Sequence, residues 1–330
     1  MKKHSSLGAF TASAALVLAC AANAGAQVAT TYAFSSSTGT QTLITGGTKL
    51  NSGNAFDDEV YMVNFSPAFT FDGTAYTTMY VSTNGFITFG SGATASNYTP
   101  LSSNAGYSGA IAPFGADLDA ANSGTREVRW QVVGAEVVVQ WRGAQRYAFN
   151  GNEAFTLQVR LNTTTGEIKF IYSNVSNLKN STLRQPEVGL RGPNNTFSTN
   201  VNNRLVGTGS EDWDTSLPGT ANDDKCRFTN QSPSKSFSAG LTYTWTPCTP
   251  PTINSVTSNS PICSADALQL HVDASGTGLT YLWTGTGTFS PDAASADVTV
   301  TNAATGSYSV AVSNSCTTVN GSVSVTVNQS

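Results

Sequence analysis

Short segments that alternate apolar and polar side chains constrain the fold of this chain more than any other feature. Residues 155–161 alternate throughout, residues 162–166 are rich in Thr, and residues 167–172 return in strand-like order. A period of two residues is typical of a half-buried strand, and the intervening turn predicts a hairpin. Two further hairpins are predicted within residues 128–141 and within residues 78–89. No helical periodicity persists for three turns, so we expect an all-β protein built from antiparallel sandwiches.

The composition agrees with an extracellular β-protein and excludes several other classes. Charged residues make up only 11% of the chain, against about 25% in an ordinary soluble domain, and small polar residues replace them. Thr favours strands, while Gly, Asn and Ser favour turns. Aromatic residues reach 10%, which supplies enough apolar surface to exclude disorder. The net charge of −4, without any long basic run, excludes nucleic acid as a partner.

Residues 1–26 have the pattern of a secretory signal peptide. A basic start is followed by an apolar run over residues 7–22 and by small residues that suit cleavage after Ala26. A lipoprotein acylated at Cys20 is the alternative, but Leu18 weakens that match, so we favour a soluble secreted product. No later segment approaches the ~20 apolar residues of a transmembrane helix. We therefore expect a secreted, extracellular or cell-surface protein.

A Pro-rich joint near residues 247–251 divides the remaining chain into two expected domains. Residues 27–247 are predicted to form a jelly-roll-like sandwich, and residues 248–330 have the size of an Ig-like sandwich. The second domain has the order Cys263, Trp283, Cys316. Residues 306–312 resemble the strand that holds a tyrosine corner at Tyr308, although Cys316 follows that tyrosine by eight residues instead of two.

Three segments resemble the nidogen-type extracellular domain: residues 80–90, residues 111–119 and residues 155–159. The second segment departs from the usual aromatic pair by having Gly115. Residues 249–330 resemble the Ig-like or PKD-like modules that secreted, multidomain bacterial surface proteins string together. The resemblance implies adhesion or matrix architecture and implies no known catalytic residues.

Four cysteines remain after removal of the signal peptide, and an even number in a secreted chain predicts two disulfides. We favour Cys226–Cys248 in the first domain and Cys263–Cys316 in the second. Cys263 precedes its strand and Cys316 follows its own, which could place them at opposite ends of an Ig-like module. Cys248–Cys316 is then the alternative. A zinc site is not expected, because no CxxC pair exists.

Asp117 and Asp119 are candidate Ca²⁺ ligands, because carboxylate oxygens in a loop suit this ion. The alternative, which we favour, is a turn in which these side chains cap backbone amides. Acidic residues at 57–59 and at 211–214 would complete a cation site only if folding brought them near. No other cofactor is expected.

Catalytic motifs are missing from the mature sequence, which retains a single histidine, His271, in a strand-like run. No motif singles out a carboxylate pair for a glycosidase. The candidate sugar contacts are Trp130, Trp141, Trp213 and Tyr147. Trp213 lies in a polar loop, so we expect it to be exposed and able to contact a sugar, whereas Trp130 and Trp141 are expected to pack inward.

We therefore interpret the chain as a secreted, non-enzymatic surface or matrix protein that acts in adhesion or as a spacer. The alternatives are a carbohydrate-binding module and, third, a glycoside hydrolase or its accessory. Its expected partners are an extracellular protein or a polysaccharide surface. Residues 319–327 lack charge and Pro and could add a strand from another chain. We favour the simpler outcome, in which this run pairs with the Tyr308 strand as a terminal G strand and strand A covers its other edge.

Overall fold

A computed structural model describes residues 27–148, 153–176, 184–207, 209–228 and 237–328 of the chain. These residues are nearly all β, which confirms the predicted fold class. The helices are single turns, α1 (Val28–Thr31) and α2 (Phe197–Asn200). Among these residues, no helix combines the length and apolar character needed to cross a membrane. The predicted signal peptide, residues 1–26, lies outside the described residues.

Strands of the first sandwich alternate with short turns along residues 32–247. In chain order they are β1 (Tyr32–Thr38), β2 (Thr48–Lys49), β3 (Val60–Phe71), β4 (Thr74–Ser82), β5 (Phe86–Phe89), β6 (Gly109–Gly115), β7 (Leu118–Ala120), β8 (Glu127–Val133), β9 (Glu136–Arg146), β10 (Ala154–Asn162), β11 (Ile168–Ser176), β12 (Glu187–Arg191), β13 (Val201–Leu205), β14 (Leu217–Pro218) and β15 (Leu241–Pro247). The predicted hairpins are confirmed as the antiparallel pairs β4–β5, β8–β9 and β10–β11.

Two sheets pack face to face in this sandwich. One has the order β1-β15-β11-β10-β9-β8-β2, with β7 paired to β9, and the other has the order β14-β13-β12-β6-β5-β4-β3. The ring of Phe114 on β6 lies 4.8 Å from that of Phe155 on β10, which joins the two inner faces. Trp141 on β9 donates its indole N–H to the carbonyl oxygen of Ser82 on β4 at 2.8 Å. Apolar burial and buried hydrogen bonds therefore hold the sheets together.

A second sandwich follows and has its own core. Its strands are β16 (Thr252–Ser258), β17 (Ile262–Cys263), β18 (Leu268–Ser275), β19 (Thr280–Thr284), β20 (Thr288–Ser290), β21 (Asp297–Thr301), β22 (Gly306–Ser313), β23 (Thr318–Val325) and β24 (Val327–Asn328). One sheet has the order β16-β18-β21-β20, a second has the order β19-β22-β23, and β17 pairs with β24 in parallel.

Two buried aromatic side chains anchor the second core. Trp283 donates its indole N–H to the Ser295 carbonyl oxygen at 2.9 Å. The Tyr308 hydroxyl accepts a hydrogen bond at 3.1 Å from the amide of Ala304, four residues upstream. This contact confirms the predicted tyrosine corner, and β23 pairs with the Tyr308 strand along its whole length.

The favoured cysteine pairing is wrong, and the alternative is found. Cys248 and Cys316 form a disulfide with their Cα atoms 5.8 Å apart, while Cys226 is buried and free and Cys263 is exposed and free. Cys316 lies in the β22–β23 loop, whereas Cys263 pairs with Asn328 at the far end of the module. The length of β23, eight residues, separates them by more than ~20 Å, well beyond the reach of a disulfide.

Gly85 follows β4 in a turn that only glycine fits. Its φ is +74°, and a Cβ there would lie 2.2 Å from the carbonyl oxygen of Phe114. Gly134 also has a positive φ, +60°, but a Cβ there would meet nothing within 4 Å. A side chain at Gly134 would cause backbone strain alone, whereas a side chain at Gly85 would cause the same strain and a steric clash with β6. Comparing the two positions therefore separates the two effects.

We expect Gly85→Ala to lower the free energy of unfolding by more than about 3 kcal/mol, because strain and clash add. Gly134→Ala, the matched control, should lose only about 1 kcal/mol from strain. Urea denaturation of both variants measures the difference. Equal losses of unfolding free energy in the two variants would show that a Cβ at Gly85 does not clash with β6.

Candidate functional site

Asn84 organises one end of the first sandwich. Its side chain is fully buried and donates hydrogen bonds to Asp58 Oδ1 and to the Ala95 carbonyl oxygen, both at 2.9 Å. Its own Oδ1 accepts from the amide of Leu118 at 2.9 Å. One buried amide side chain thus fixes three separate segments. Asn84 belongs to the segment that carries the nidogen-type resemblance.

Three carboxylates meet beside Asn84. One oxygen from each of Asp57, Asp58 and Asp117 lies within 4.8 Å of the others. The Tyr98 hydroxyl donates to Asp58 Oδ2 at 2.8 Å, and Arg184 Nε donates to Asp117 Oδ2 at 2.8 Å. Folding therefore brings Asp57 and Asp58 to Asp117, and the cluster found among the described residues includes neither Glu59 nor any residue from 211–214.

Electrostatic repulsion is concentrated in this cluster. Burial raises the pKa of Asp57, and the neighbouring charges of Asp58, Asp117 and Glu59 raise it further. Burial also raises the pKa of Tyr98 to about 12, and its hydrogen bond to Asp58 adds to this shift. A bound cation would relieve this repulsion, and carboxylate oxygens are ligands that Ca²⁺ uses. The three carboxylates would supply only part of the shell of about six to eight oxygens that Ca²⁺ takes.

Asp119 is not one of the three clustered carboxylates, although burial and, to a lesser extent, the charges of Asp57 and Asp117 raise its pKa. It is in β7 and pairs with Gln145 of β9, so the predicted loop after Asp117 is in fact partly a strand. Burial raises the pKa of the Asp119 carboxyl to about 6, against a hydrogen bond from the Gln145 side chain that lowers it. The structure therefore assembles Asp117, but not Asp119, into the acidic cluster.

A cavity of about 220 Å³ opens next to the cluster, and two of the side chains that line it are basic. Arg184 and Lys225 line it together with Asp117 and Tyr98. The Arg184 guanidinium also lies 4.9 Å from the centre of the Tyr147 ring. Both signs of charge therefore face the same small space.

The predicted exposure of Trp213 is wrong. This side chain is 0% exposed and packs against an aromatic cluster in the sandwich core, with ring centroids 5.1 Å from Phe228, 5.2 Å from Phe237 and 5.5 Å from Tyr172. The loop folds inward because the Trp213 ring then buries its apolar surface against these rings, which an exposed position would leave in water. Trp213 therefore stabilises the core and is not available to a sugar. Trp141 is buried, as predicted.

Fully buried charges are the features that sequence analysis missed. Arg146 and Glu153 form an ion pair at 2.8 Å with both side chains 0% exposed, and Arg146 also lies 4.7 Å from the centre of the Phe228 ring. Arg191 donates to the carbonyl oxygens of Ser103 and Ala105, both at 2.7 Å. The alternation of apolar and polar residues could not reveal these buried charges, since the pattern along one strand does not show which group each side chain will contact. These pairs fix loops in place.

His271 stands outside this region, on β18 of the second sandwich. It is exposed on its strand, and its Nδ1 lies 2.7 Å from Asp297 Oδ1. The contact is an exposed cross-strand pair between β18 and β21.

The fold and this loop cluster define a class: an all-β, two-sheet sandwich in which a buried asparagine ties together the turns at one end. The chain belongs to the NIDO-related family, because residues 31–247 match the family model described as "NIDO related". The match covers more than half of the 330 residues, and the first sandwich is thus a nidogen-related domain.

Two solved structures are similar to parts of the chain. A chimeric titin Z1Z2-Z1Z2 tandem functionalised with a GRGDS peptide from fibronectin is 12% identical and covers 63% of this chain and 92% of its own, with a TM-score of 0.21. Extracellular domains 3–5 of Drosophila OTK are 13% identical, and the match covers 56% of this chain and 75% of the OTK chain, with a TM-score of 0.21. These scores are too low to carry an argument. No curated protein matches the chain.

We expect Asp119→Asn to stabilise the protein at pH 7.5 but not near pH 4. The native Asp119 carboxyl holds its proton to about pH 6, whereas an unfolded Asp ionises near pH 4, so stability falls as the pH rises through this window. Allowing for its partial exposure, the gain should be about 1 kcal/mol. Thermal melts at both pH values measure it, with Asp273→Asn, an exposed site on β18, as the control. An equal effect at the two pH values would contradict the burial argument.

The calcium prediction has a direct test at the acidic cluster. Ca²⁺ bound by these carboxylates would raise the melting temperature of the wild type, because it binds the native state alone. The Asp58→Asn/Asp117→Asn variant should lose that rise, while Asp119→Asn should keep it. A wild-type melting temperature unchanged by millimolar Ca²⁺ would exclude the site.

Proposed function

We propose that this chain is a secreted, non-enzymatic protein of the cell surface or extracellular matrix, and that it acts as a structural spacer in adhesion. Its membership of the NIDO-related family supports an extracellular structural or adhesion role. The resemblance of the second module to those of bacterial surface proteins fits the same proposal. Fold alone does not assign the role, so the argument rests on the joint between the two sandwiches.

The joint is the observation that carries this proposal. The amide of Cys248 donates to the Thr31 carbonyl oxygen at 2.8 Å, which fastens the residue after β15 to α1 at the start of the first sandwich. The Cys248–Cys316 disulfide then ties the same residue to the β22–β23 loop. Asn314 of that loop donates to the Thr249 carbonyl oxygen at 2.8 Å. A covalent bond and two hydrogen bonds thus span a linker of a few residues, which favours a rigid connection over a flexible one.

A carbohydrate-binding module is the weaker candidate. Its predicted aromatic contact, Trp213, is in the core, and Trp141 is buried as well. Sugar recognition commonly needs an exposed ring, so these two side chains give it no support.

We expect the joint to loosen when its disulfide is removed. Small-angle X-ray scattering of the oxidised mature chain should give one narrow distance distribution. The Cys248→Ser/Cys316→Ser variant should give a broader one with a larger maximum dimension, because only hydrogen bonds then hold the linker. Cys263→Ser is the matched control and should scatter like the wild type. Identical curves for all three proteins would remove the support for a rigid spacer.

The adhesive, non-enzymatic part of the proposal has its own assay. Beads coated with the mature chain would be applied to immobilised matrix proteins and to a polysaccharide array, and the same polysaccharides would be assayed for released reducing ends. Retention of beads without release of sugar would support the proposal. Hydrolysis, or the absence of retention on every surface, would contradict it.

A further inference from the structure

Arg204 on β13 is a buried cation that no carboxylate side chain of the protein neutralises. The residue is 6% exposed, and burial lowers the pKa of its guanidinium to about 10. All 20 acidic side chains lie within the described residues, and none of them forms an ion pair with Arg204. A charge removed from water without a partner is costly. An anion bound from outside the chain would supply the missing partner.

The other two buried arginines of the first sandwich already have strong acceptors. Arg146 pairs with Glu153 at 2.8 Å, and Arg191 donates to two backbone carbonyl oxygens at 2.7 Å. Arg204 donates from Nε to the Ser216 hydroxyl at 3.1 Å and from Nη2 to the Ser216 carbonyl oxygen. Its Nη1 has no acceptor within the described residues and keeps some accessible surface. One nitrogen of this guanidinium is therefore free to bind a ligand.

A cavity of about 290 Å³ adjoins this guanidinium, and both sandwiches contribute to its wall. The first sandwich contributes residues of β1, α2, β13 and β14, and the second contributes Ser315 and Cys316 from the β22–β23 loop. Because β1 and β14 are the end strands of their sheets, the cavity lies at a side of the first sandwich. Ligand sites are common at such boundaries between domains.

The lining of this cavity suits a small organic carboxylate. Arg204 is the only charged residue among the described residues that line it, so one positive charge is available to balance one negative charge. A planar guanidinium also matches the geometry of a carboxylate. The guanidinium lies 3.8 Å from the centre of the Phe34 ring, and Tyr32 and Phe197 bring two further rings to the cavity. An apolar ligand body can pack against these rings while its carboxylate reaches Arg204.

We propose that this cavity is a binding site for a small organic carboxylate with an apolar body, held by the guanidinium of Arg204. The ligand contacts both sandwiches, because Ser315 and Cys316 close the same cavity. The site is separate from the acidic cluster, whose charge has the opposite sign. The proposal goes beyond the spacer role and does not depend on it.

Benzoate and benzamide are the matched probes, since they share an aromatic ring and differ in charge. Isothermal titration calorimetry of the mature chain at neutral pH should show benzoate binding with a dissociation constant of about 1 mM, an ordinary affinity for so small a ligand. Benzamide lacks the charge and inorganic phosphate lacks the ring, so each should bind about tenfold more weakly. No binding of benzoate would overturn the proposal, and so would equal binding of benzamide or of phosphate.

Charges added at the rim of the cavity test where benzoate binds. Ser198 lines the cavity and is exposed. Ser198→Lys should tighten benzoate binding and Ser198→Glu should weaken it, each about threefold, because the added charge attracts or repels the carboxylate. Ser307→Lys and Ser307→Glu are the matched controls and should bind like the wild type, since Ser307 is exposed near the end of β22 that is remote from Cys316. Equal shifts at both positions, or no shift at Ser198, would overturn the assignment to this cavity.

Arg204→Gln tests the guanidinium itself. We expect this variant to bind benzoate at least about tenfold more weakly, because the carboxylate loses its counter-charge. Near-ultraviolet circular dichroism shows whether the variant is folded. Unchanged binding by the folded variant would overturn the role of Arg204, and if the variant does not fold, the Ser198 variants test the same site with the core intact. None of these outcomes alters the scattering test of the joint.

Discussion

Burial of aromatic rings between the two inner faces of the first sandwich is the interaction on which the rest of the structure depends. Phe114 of one sheet contacts Phe155 of the other, and Trp213 and Phe237 close the same cluster from the loops that follow. These residues bury large apolar areas, which drives folding without requiring many charges. Phe114 of this cluster lies three residues before Asp117, so the cluster helps to position the candidate site.

Some of the polar groups buried inside this sandwich pair with each other. Asn84 holds three segments through its amide, and Arg146 pairs with Glu153 without exposure to water. Such groups are costly to bury and contribute specificity of loop placement more than stability. Because Asn84 binds Asp58 directly, the acidic cluster is an extension of the buried framework. A NIDO-related sandwich can thus present an exposed charged site whose geometry is set from within.

Much of the fold was predictable from the sequence, whereas the candidate site was predictable only in part. The hairpins β4–β5, β8–β9 and β10–β11 follow from alternation and turn residues, which act over a few positions. Asp117 was identified as an acidic candidate, but its companions Asp57 and Asp58 are about sixty residues away in the sequence. The polar loop predicts an exposed Trp213, but its ring packs against Phe114 on β6 and Tyr172 on β11, which are remote in sequence. The local pattern contains no information about such contacts.

The sequence by itself determined the all-β class, the pairing of neighbouring strands and the tyrosine corner, because each depends on interactions within short stretches of chain. Only the tertiary structure decided that Cys248 pairs with Cys316, that Trp213 is buried and that three carboxylates meet beside Asn84. The physical reason is the same in each case. These contacts join segments far apart in the chain, and the packing of one sheet on another determines which loop ends come within bonding distance.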